Sequence, residues 1–436
     1  MGIGSKRHVT AQERPLKGAW GITVLLFLFM LINFADKIVV GLIGMEGLGF
    51  TPEQFGLLGS SFFFLFAISA IVVGFITNRV QAKDTLLVMA IVWSLVQFPM
   101  LFTASFGVML ASRIILGAGE GPAAPVATHA VYKWFPDSRR GLPTAILAQG
   151  SAIGVIAAVP ILTAIISRFS WHWAFGSLGI AGLLWALAWL VFGREGTLVD
   201  PPVSQAEGGV DRVPYARLLT CPSIIAVACA GFASYWGLAL GLTWFPSYLI
   251  SGLGLDPTVG RNLTILPWIF GSVVVLVGGY ISQHLKAKGV SSRACRGALA
   301  SITMMVGGLV LPLVGSMPST PLKIALLVFG SAIGSTIYVV IPMVVSELTP
   351  QSQRAGMLAI VNSVVTLAGV LAPLVMGAMV QHAPTLKDGF ESGYVVFGVL
   401  LLAGGLIGLL FIRPDADRKH LAAHALAASP PSPARA

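Results

Sequence analysis

The sequence predicts an all-α polytopic membrane protein, with twelve transmembrane helices arranged as two halves of six. Composition is the first observation that leads to this fold class. Of the 436 residues, 56% are hydrophobic and only 10% are charged, and the mean hydropathy is +0.86. Soluble domains carry about 25% charged residues, so this chain lacks the polar surface that water would solvate. The spacing of the apolar runs and the placement of the positive charges are the other two observations.

Twelve apolar runs are long enough to cross a bilayer, which requires about 20 apolar residues in a helix. The third and fourth runs nearly merge at residues 105–107, where the boundary is weakest. No cleavable signal peptide is predicted, because the polar N-terminus leads into a run that is itself long enough to span. The predicted segments cover residues 20–43, 56–78, 84–105, 107–132, 142–167, 172–193, 222–250, 261–284, 297–317, 322–347, 355–381 and 391–412.

Lysine and arginine are concentrated on one side of these segments. Because basic residues accumulate in cytoplasmic loops, we expect both termini in the cytoplasm and the protein in the inner (plasma) membrane. The formal net charge of +10 follows from this topology, so it predicts no nucleic-acid partner. The basic residues in loops on the side opposite the termini are only Arg168, Arg261, Lys323 and Lys387.

A polar stretch after the sixth segment divides the chain into two halves. The loop after the fourth segment reads FPDSRRG and the loop after the tenth reads TPQSQRAG, so a P-x-S-x-R pattern recurs at Pro136 and Pro350. Internal repeats of this kind are typical of secondary transporters. We expect a cytoplasmic N-terminal segment (1–19), two six-helix bundles (20–193 and 221–412), a cytoplasmic linker (194–220) and a disordered Ala/Pro-rich tail (413–436).

Four charged residues lie deep inside the apolar segments: Asp36 and Lys37 in the first, Arg113 and Glu120 in the fourth. A charged side chain at mid-bilayer costs roughly 3 kcal/mol on insertion scales. Arg113 and Glu120 share one helix face, about 10 Å apart along the axis. Two interpretations stay open, a structural ion-pair cluster and a coupling centre for transport. The second is favoured, because buried pairs add little net stability and intramembrane ions usually mark a pathway.

Patterns that would indicate an enzyme are missing from the sequence. There is no metal-ligand spacing, no nucleophile constellation and no Walker-type phosphate loop, so we expect no cofactor, no hydrolytic activity and no ATP-driven transport. Cys221, Cys229 and Cys295 are few and odd in number and lie in or beside apolar segments. We interpret them as reduced packing residues.

Several local stretches resemble the anion:cation symporter family of the major facilitator superfamily. They are NFADK (33–37), RIILGAGEGPAAP (113–125), WFPDSRRG (134–141), SWHWAF (170–175) and LTWFPSYL (242–249). That family includes proton-coupled carriers of sugar acids such as galactonate and glucarate, and vesicular and lysosomal organic-anion carriers. The resemblance implies that Asp36 and Glu120 are proton-carrying acids, and Arg113 matches the arginine on the family's fourth helix.

The chain departs from the family pattern at several polar positions. Asn78 stands where the superfamily's loop signature has aspartate, and the helix-1 motif N-Y-x-D-R has Phe34 and Lys37 for tyrosine and arginine. Phe66 and Ser151 stand where the sugar-acid carriers tend to have tyrosine and glutamine. These losses predict a monocarboxylate or dicarboxylate with fewer hydroxyls than a six-carbon aldonate, aromatic acids included. Ordinary packing is the alternative role for both phenylalanines.

Further polar and aromatic residues are candidates for the wall of a central cavity. Side-chain amides and hydroxyls are costly against lipid, which favours a cavity position, whereas Trp and Tyr also mark the membrane interfaces. We expect substrate contacts from Lys37, Arg113, Phe34, Phe66, Gln149, Ser151, Asn362, Ser363, Tyr338 and Trp244.

The leading functional expectation is proton-coupled symport of a small organic anion by a monomer that works by alternating access. The anion is a sugar acid, an aromatic acid or a short dicarboxylate. If the anion binds Lys37 or Arg113, the acid that was paired with that cation loses its partner and binds a proton. Binding of the anion and binding of the proton are thereby linked. An antiporter or exporter of a metabolite or drug is the main alternative, but the fifth helix (GSAIGVIAAVP) lacks the Gly-Pro pair usual in antiporters. A non-transporting sensor would normally carry a soluble signalling domain.

Overall fold

Helices form the regular secondary structure in the part of the chain that the structure describes. This computed structural model describes residues 14–77, 80–136, 139–198, 213–350 and 353–428. The first half consists of α1 (Ala19–Leu48), α2 (Pro52–Phe64, continued by Phe66–Thr77), α3 (Ala82–Leu95, followed by a 3-10 turn at Phe98–Leu101), α4 (Phe106–Glu120, continued by Ala123–Tyr132), α5 (Gly141–Arg168) and α6 (Trp171–Phe192).

The second half follows a one-turn helix at Tyr215–Leu219. It consists of α7 (Pro222–Thr243, extended by Phe245–Ser247 and a π-helical turn at Tyr248–Gly252), α8 (Pro257–Leu263, continued by Leu266–Ala287), α9 (Arg293–Ala298, Leu299–Val310 and Leu311–Val314), α10 (Thr320–Ile333, Gly334–Thr336 and Ile337–Leu348), α11 (Arg354–His382) and α12 (Leu386–Phe411). A tail helix, α13, covers Pro414–Ala428.

Eleven helical spans of the described chain are long and apolar enough to cross a membrane. The exception is α4, which Gly121 and Pro122 interrupt, leaving pieces of 15 and 10 residues. Proline has no N–H to donate and its ring clashes with the preceding turn, so the break lies where the sequence requires it. The two pieces of α4 together match the predicted fourth segment, and the predicted twelve-helix arrangement is confirmed.

The tail, which was expected to be disordered over 413–436, contains the helix α13 in its described residues. The Asp417 carboxylate accepts the Ser223 N–H at 3.0 Å, so it caps the start of α7 and ties the tail to the bundle. Alanine, which is abundant here, is also the best helix former. Residues 1–13 of the predicted N-terminal segment, 199–212 of the linker and the end of the tail lie outside the described residues, as do Asn78, Ser138 and Ser352.

The repeated P-x-S-x-R loops make the same contact in both halves. Arg140 donates to the carbonyl of Tyr132 at 3.1 Å, and Arg354 donates to the carbonyl of Ser346 at 3.2 Å, each eight residues upstream. Each arginine thereby satisfies a carbonyl at the end of the preceding helix, which has no partner within that helix. The recurrence seen in the sequence is therefore a structural repeat.

A second repeated contact lies at the same end of the bundle. Glu195, after α6, accepts the Lys83 N–H at the start of α3, and Asp415, after α12, accepts the Arg293 N–H at the start of α9. Glu195 also forms an ion pair with Lys133 at 2.5 Å. Partial burial raises the pKa of Glu195, but the hydrogen bonds from Lys133 and from the backbone of Lys83 and Ala82 outweigh it and hold that pKa below its usual value.

The two halves meet most closely at the end of the bundle where α1 ends and α2 begins. A Cβ atom on Gly41 would lie 2.1 Å from the carbonyl oxygen of Leu242, so α1 and α7 are in main-chain contact. Arg261 on α8 donates to the Leu42 carbonyl at 2.8 Å, and Ser60 on α2 donates to the Val370 carbonyl at 2.6 Å. We call this region the closed end.

We predict that Gly41→Ala opens the closed end, because an added methyl group cannot fit against the Leu242 carbonyl. Overpacking of this kind costs about 1–3 kcal/mol, which the protein avoids by separating α1 from α7. Maleimide labelling of Ser247→Cys, in purified protein that lacks the three native cysteines, measures the opening. Ser247 is 3% exposed, so labelling is slow in the parent and faster after Gly41→Ala. Gly241→Ala is the matched control, since a Cβ there meets no atom within 4 Å. Equal labelling rates in all three proteins would contradict the prediction.

Candidate functional site

The four embedded charges meet because glycines let four helices approach closely. A Cβ on Gly117 of α4 would lie 1.7 Å from the Phe62 carbonyl oxygen on α2, and one on Gly154 of α5 would lie 2.7 Å from the Leu31 carbonyl oxygen on α1. Small residues permit such main-chain contact between membrane helices. The same face of α4 that carries Gly117 carries Glu120, which therefore reaches α1.

Lys37 and Glu120 form a buried ion pair. The Nζ atom of Lys37 lies 3.2 Å from Oε2 of Glu120, and their side chains are 6% and 0% exposed. Lys37 also donates to the side-chain oxygen of Asn33, one turn earlier on α1. Oε1 of Glu120 is buried and accepts no hydrogen bond from the described residues. A carboxylate oxygen in this state has unused capacity to bind a proton.

Asp36 lies beside this pair and is held by a neighbouring helix. Gln97, at the end of α3, donates to Oδ1 of Asp36 at 2.8 Å, whereas Oδ2 is buried without a hydrogen bond from the described chain. Sequence reasoning missed Gln97, although a lone amide inside an apolar run is a signal of the kind that singled out Gln149. The site therefore contains two carboxyl groups with oxygens that accept no hydrogen bond from the described residues: Oδ2 of Asp36 and both oxygens of Glu120, of which Oε2 pairs with Lys37.

The contacts of Arg113 lie within the first half. Its guanidinium donates to the main-chain carbonyl of Asp36 at 3.0 Å and lies 4.9 Å from the centre of the Phe62 ring. It also lines a small cavity between α3, α4 and α6. Its Nε is buried and has no partner among the described residues. Arg113 thus has a free donor, but its immediate surroundings belong to α1, α2, α3, α4 and α6.

Aromatic rings surround the ammonium group of Lys37. Its Nζ lies 4.2 Å from the centre of the Phe34 ring, 5.6 Å from that of Phe66 and 5.7 Å from that of Phe62. A cation within about 6 Å of an aromatic face is attracted by the ring quadrupole. Phe34 and Phe66, expected near the substrate, therefore surround the same cation.

The remaining predicted contacts lie outside this cluster. Ser151 and Ser363 donate to carbonyls of their own helices, at 2.7 and 2.9 Å, and Tyr338 has a buried hydroxyl without a partner among the described residues. Trp244 is fully buried at the closed end, donates to the Pro373 carbonyl at 3.1 Å and meets the Phe55 ring edge-on at 4.7 Å. Of the other two, Gln149 is half-buried and Asn362 is exposed.

A second buried ion pair lies in the second half, and sequence reasoning missed it. Lys323 at the start of α10 contacts Glu391 of α12 at 2.5 Å, and Tyr248 donates to the same carboxylate at 3.3 Å. Lys323 was expected in a loop, but it is only 5% exposed. The pair joins the ends of α7, α10 and α12. Across the described ranges, no cluster of histidine, cysteine and acidic residues has the geometry of a metal site.

Comparisons with known proteins agree with this architecture. The profile of the Major Facilitator Superfamily matches residues 25–317 and 294–435. The chain is 29% identical to the hexuronate transporter of Bacillus subtilis over 411 residues, covering 90% of this chain and 95% of that protein. It is 26% identical to the D-galactonate transporter of Escherichia coli O6:H1 over 427 residues, covering 92% and 96%. These relatives confirm the resemblance to anion and sugar-acid transporters that the sequence motifs indicated.

Solved structures show the same fold at low sequence identity. A bacterial homologue of the human lysosomal transporter Spinster, in an inward-facing and unoccupied conformation, superposes with a TM-score of 0.77 at 17% identity, covering 95% of this chain and 99% of that one. A D-xylose–proton symporter superposes with a TM-score of 0.72 at 18% identity, covering 92% and 99%.

We predict unequal losses of stability when the central ion pair is broken from either side. Lys37→Met leaves the Glu120 carboxylate buried without a cation and costs about 3–5 kcal/mol. Glu120→Gln costs less, because Lys37 keeps Asn33 and the aromatic faces. Thermal unfolding in detergent measures both, and the double variant should lose less than the sum of the singles. Lys387→Met, at an exposed lysine in the first turn of α12, is the control; strictly additive losses would show that the two groups do not interact.

Proposed function

Because the chain belongs to the major facilitator superfamily, we propose that it imports a small organic anion together with protons by alternating access. Family and relatives make it a multi-pass membrane transporter of a small molecule and not an enzyme. Relatives named as hexuronate and D-galactonate transporters support a carboxylate as the substrate. The proposal places the protein in the plasma (inner) membrane as a monomer, with both termini in the cytoplasm.

The observation that carries the proposal is the buried pair of Lys37 and Glu120 beside Asp36. A substrate carboxylate that binds Lys37 removes the cation from Glu120, and an uncompensated buried carboxylate is costly. A proton on Glu120 neutralises it, so proton and anion favour each other's binding, and linkage makes the effect reciprocal. Asp36 is the second proton-binding group, since one of its oxygens also lacks a partner.

Lys37 and Arg113 divide the recognition of the anion in this proposal. Lys37 is bordered by Phe34 and Phe66, and it is the first cation that an anion meets. Arg113 holds Asp36 through its main-chain carbonyl and offers its free Nε. Gln149, Ser151, Asn362, Ser363 and Tyr338 contribute polar groups to the cavity wall, whereas Trp244 acts in closure because it is buried at the closed end.

Alternating access requires that the closed end opens. Its contacts depend on close main-chain approach, as between Gly41 and Leu242, and two adjoining helices are interrupted. The Gly44 residue of α1 has a positive φ of 75°, and α7 passes through a π-helical turn after Tyr248. Such breaks are hinges about which the helix ends move.

We predict that Glu120→Gln abolishes uptake driven by a proton gradient, because the amide cannot carry the proton. Counterflow between equal pools of substrate inside and outside proteoliposomes should survive, since exchange needs no net proton movement. The measurement is uptake of a radiolabelled carboxylate with and without an imposed pH difference, and Glu347→Gln, near the end of α10, is a control outside the cluster.

Two outcomes would count against this assignment. Undiminished gradient-driven uptake by the Glu120→Gln variant would remove Glu120 from coupling. Uptake by the unmodified protein that requires internal substrate and ignores the pH difference would favour the antiporter instead.

We predict that Arg113→Ala weakens substrate binding far more than it lowers the thermal stability of the protein. The change removes a buried cation and its hydrogen bonds, an effect of roughly 2–5 kcal/mol when the partner charge stays buried. Isothermal titration calorimetry with purified protein measures the affinity, and Arg139→Ala, at an exposed loop arginine, is the control. Unchanged affinity would leave Arg113 with a purely structural role beside Asp36.

A further inference from the structure

An aromatic pair joins the two halves near the middle of the bundle. Phe34 lies near the centre of α1 and Trp268 lies in the first turn of the second piece of α8, and their rings meet edge-on with centroids 6.1 Å apart. Each residue is half-buried. The contact lies between helices of opposite halves, so a lipid-facing position does not explain Trp268.

Trp268 keeps unused binding capacity in this position. Its indole N–H has no hydrogen-bond partner among the described residues, and that atom is not enclosed by protein, in contrast to the buried N–H of Trp93. Tryptophan offers a large flat face for stacking and one donor at its edge. The combination resembles the wall of a ligand site more than a packed core.

Phe34 connects Trp268 to the central cation. The Nζ atom of Lys37 lies 4.2 Å from the Phe34 ring centre, and the same ring contacts Trp268 edge-on. A carboxylate bound to Lys37 therefore has its attached group beside Phe34, within reach of Trp268 and Phe66. Hydroxyl groups on that part of the ligand would lose water against three aromatic rings without gaining hydrogen bonds from them.

The charges of the cluster link the charge of the ligand to the number of bound protons. Asp36 and Glu120 balance Lys37 and Arg113, so the cluster is neutral when every group is ionised. One bound proton leaves a single excess positive charge, which one carboxylate neutralises, and protons on both acids leave two.

We propose that Phe34 and Trp268 form an aromatic clamp that selects a planar, hydroxyl-poor carboxylate, with its carboxylate group on Lys37 and its ring against Trp268. The inference rests on the proposed function and adds to it the substrate class and Trp268 as a specificity-determining residue. Aromatic rings prefer edge-to-face or offset contacts with centroids about 4.5–7 Å apart. Phe34 and Trp268 contact each other in this structure, so the ligand ring takes such a position when the two rings move apart to admit it.

The test compares three acids that share one carboxylate: benzoate, cyclohexanecarboxylate and D-galactonate. Benzoate and cyclohexanecarboxylate have similar size, but only benzoate is planar and aromatic, and galactonate adds hydroxyls. Calorimetry on the purified full-length protein should give benzoate an affinity about tenfold or more above that of galactonate, and above that of cyclohexanecarboxylate. Trp268→Ala should reduce the benzoate-to-cyclohexanecarboxylate ratio about three- to tenfold, whereas Trp268→Phe should retain most of it.

A fluorescence measurement separates a ligand contact from a role in closure alone. Benzoate should quench part of the tryptophan emission of the unmodified protein, and Trp268→Phe should lose that change while still binding benzoate. Trp173→Phe, at a tryptophan that is 53% exposed at the start of α6, is the matched control and should retain it. Quenching that persists in Trp268→Phe would overturn the clamp.

The remaining outcomes distinguish this inference from the function on which it rests. Galactonate bound as tightly as benzoate, or an acid preference unchanged in Trp268→Ala, would overturn the clamp and leave organic-anion transport in place. Binding of none of the three acids by the unmodified protein would overturn the clamp and count against carboxylate transport as well.

Discussion

The ion pair between Lys37 and Glu120 is the interaction on which the arrangement of the first half depends. Two charges in an apolar bundle carry a desolvation penalty that only close pairing and further hydrogen bonds offset. The helices therefore have to meet at short range, and Gly117 of α4 permits this by placing its backbone against that of α2. Asn33 then accepts a hydrogen bond from Lys37, and Gln97 donates one to Oδ1 of Asp36. A larger residue at Gly117 would push the helices apart and separate the two charges.

The two halves share a construction but differ in what they carry. Arg140 and Arg354 make equivalent contacts, as do Glu195 and Asp415, so the repeat governs the ends of the helices. At mid-membrane the likeness stops, because the four central charges all belong to the first half. The ion pair of the second half, Lys323 with Glu391, lies towards the closed end and holds α7 through Tyr248. The first half thus contains the central charged cluster, and the second half contributes cavity walls and the contacts that form the closed end.

The predictions from sequence succeeded for residue types that are energetically costly inside a membrane, because such residues occur there only where other groups compensate the cost. The four embedded charges were identifiable because lipid penalises ions strongly, and all four lie in one cluster. Gln97 was missed because an uncharged amide near a helix end resembles an interfacial residue. Lys323 and Glu391 were missed because each lies near a segment end, where sequence alone suggests contact with water. The helix of the tail was missed because Asp417 caps α7 through a contact between residues 194 positions apart.

The sequence by itself determined that the chain crosses a membrane, that it has two related halves and which charges are embedded, since hydropathy, loop charge and repetition are properties of composition and order along the chain. Only the tertiary structure decided which groups face one another. It placed Arg113 against a backbone carbonyl, moved Trp244 into the closed end and brought Trp268 to Phe34. The physical reason is that a helical pattern specifies which face of a helix is buried, but not its rotation and height against a helix from the other half. Those are set by main-chain contacts at a few glycines, whose partners are distant in sequence.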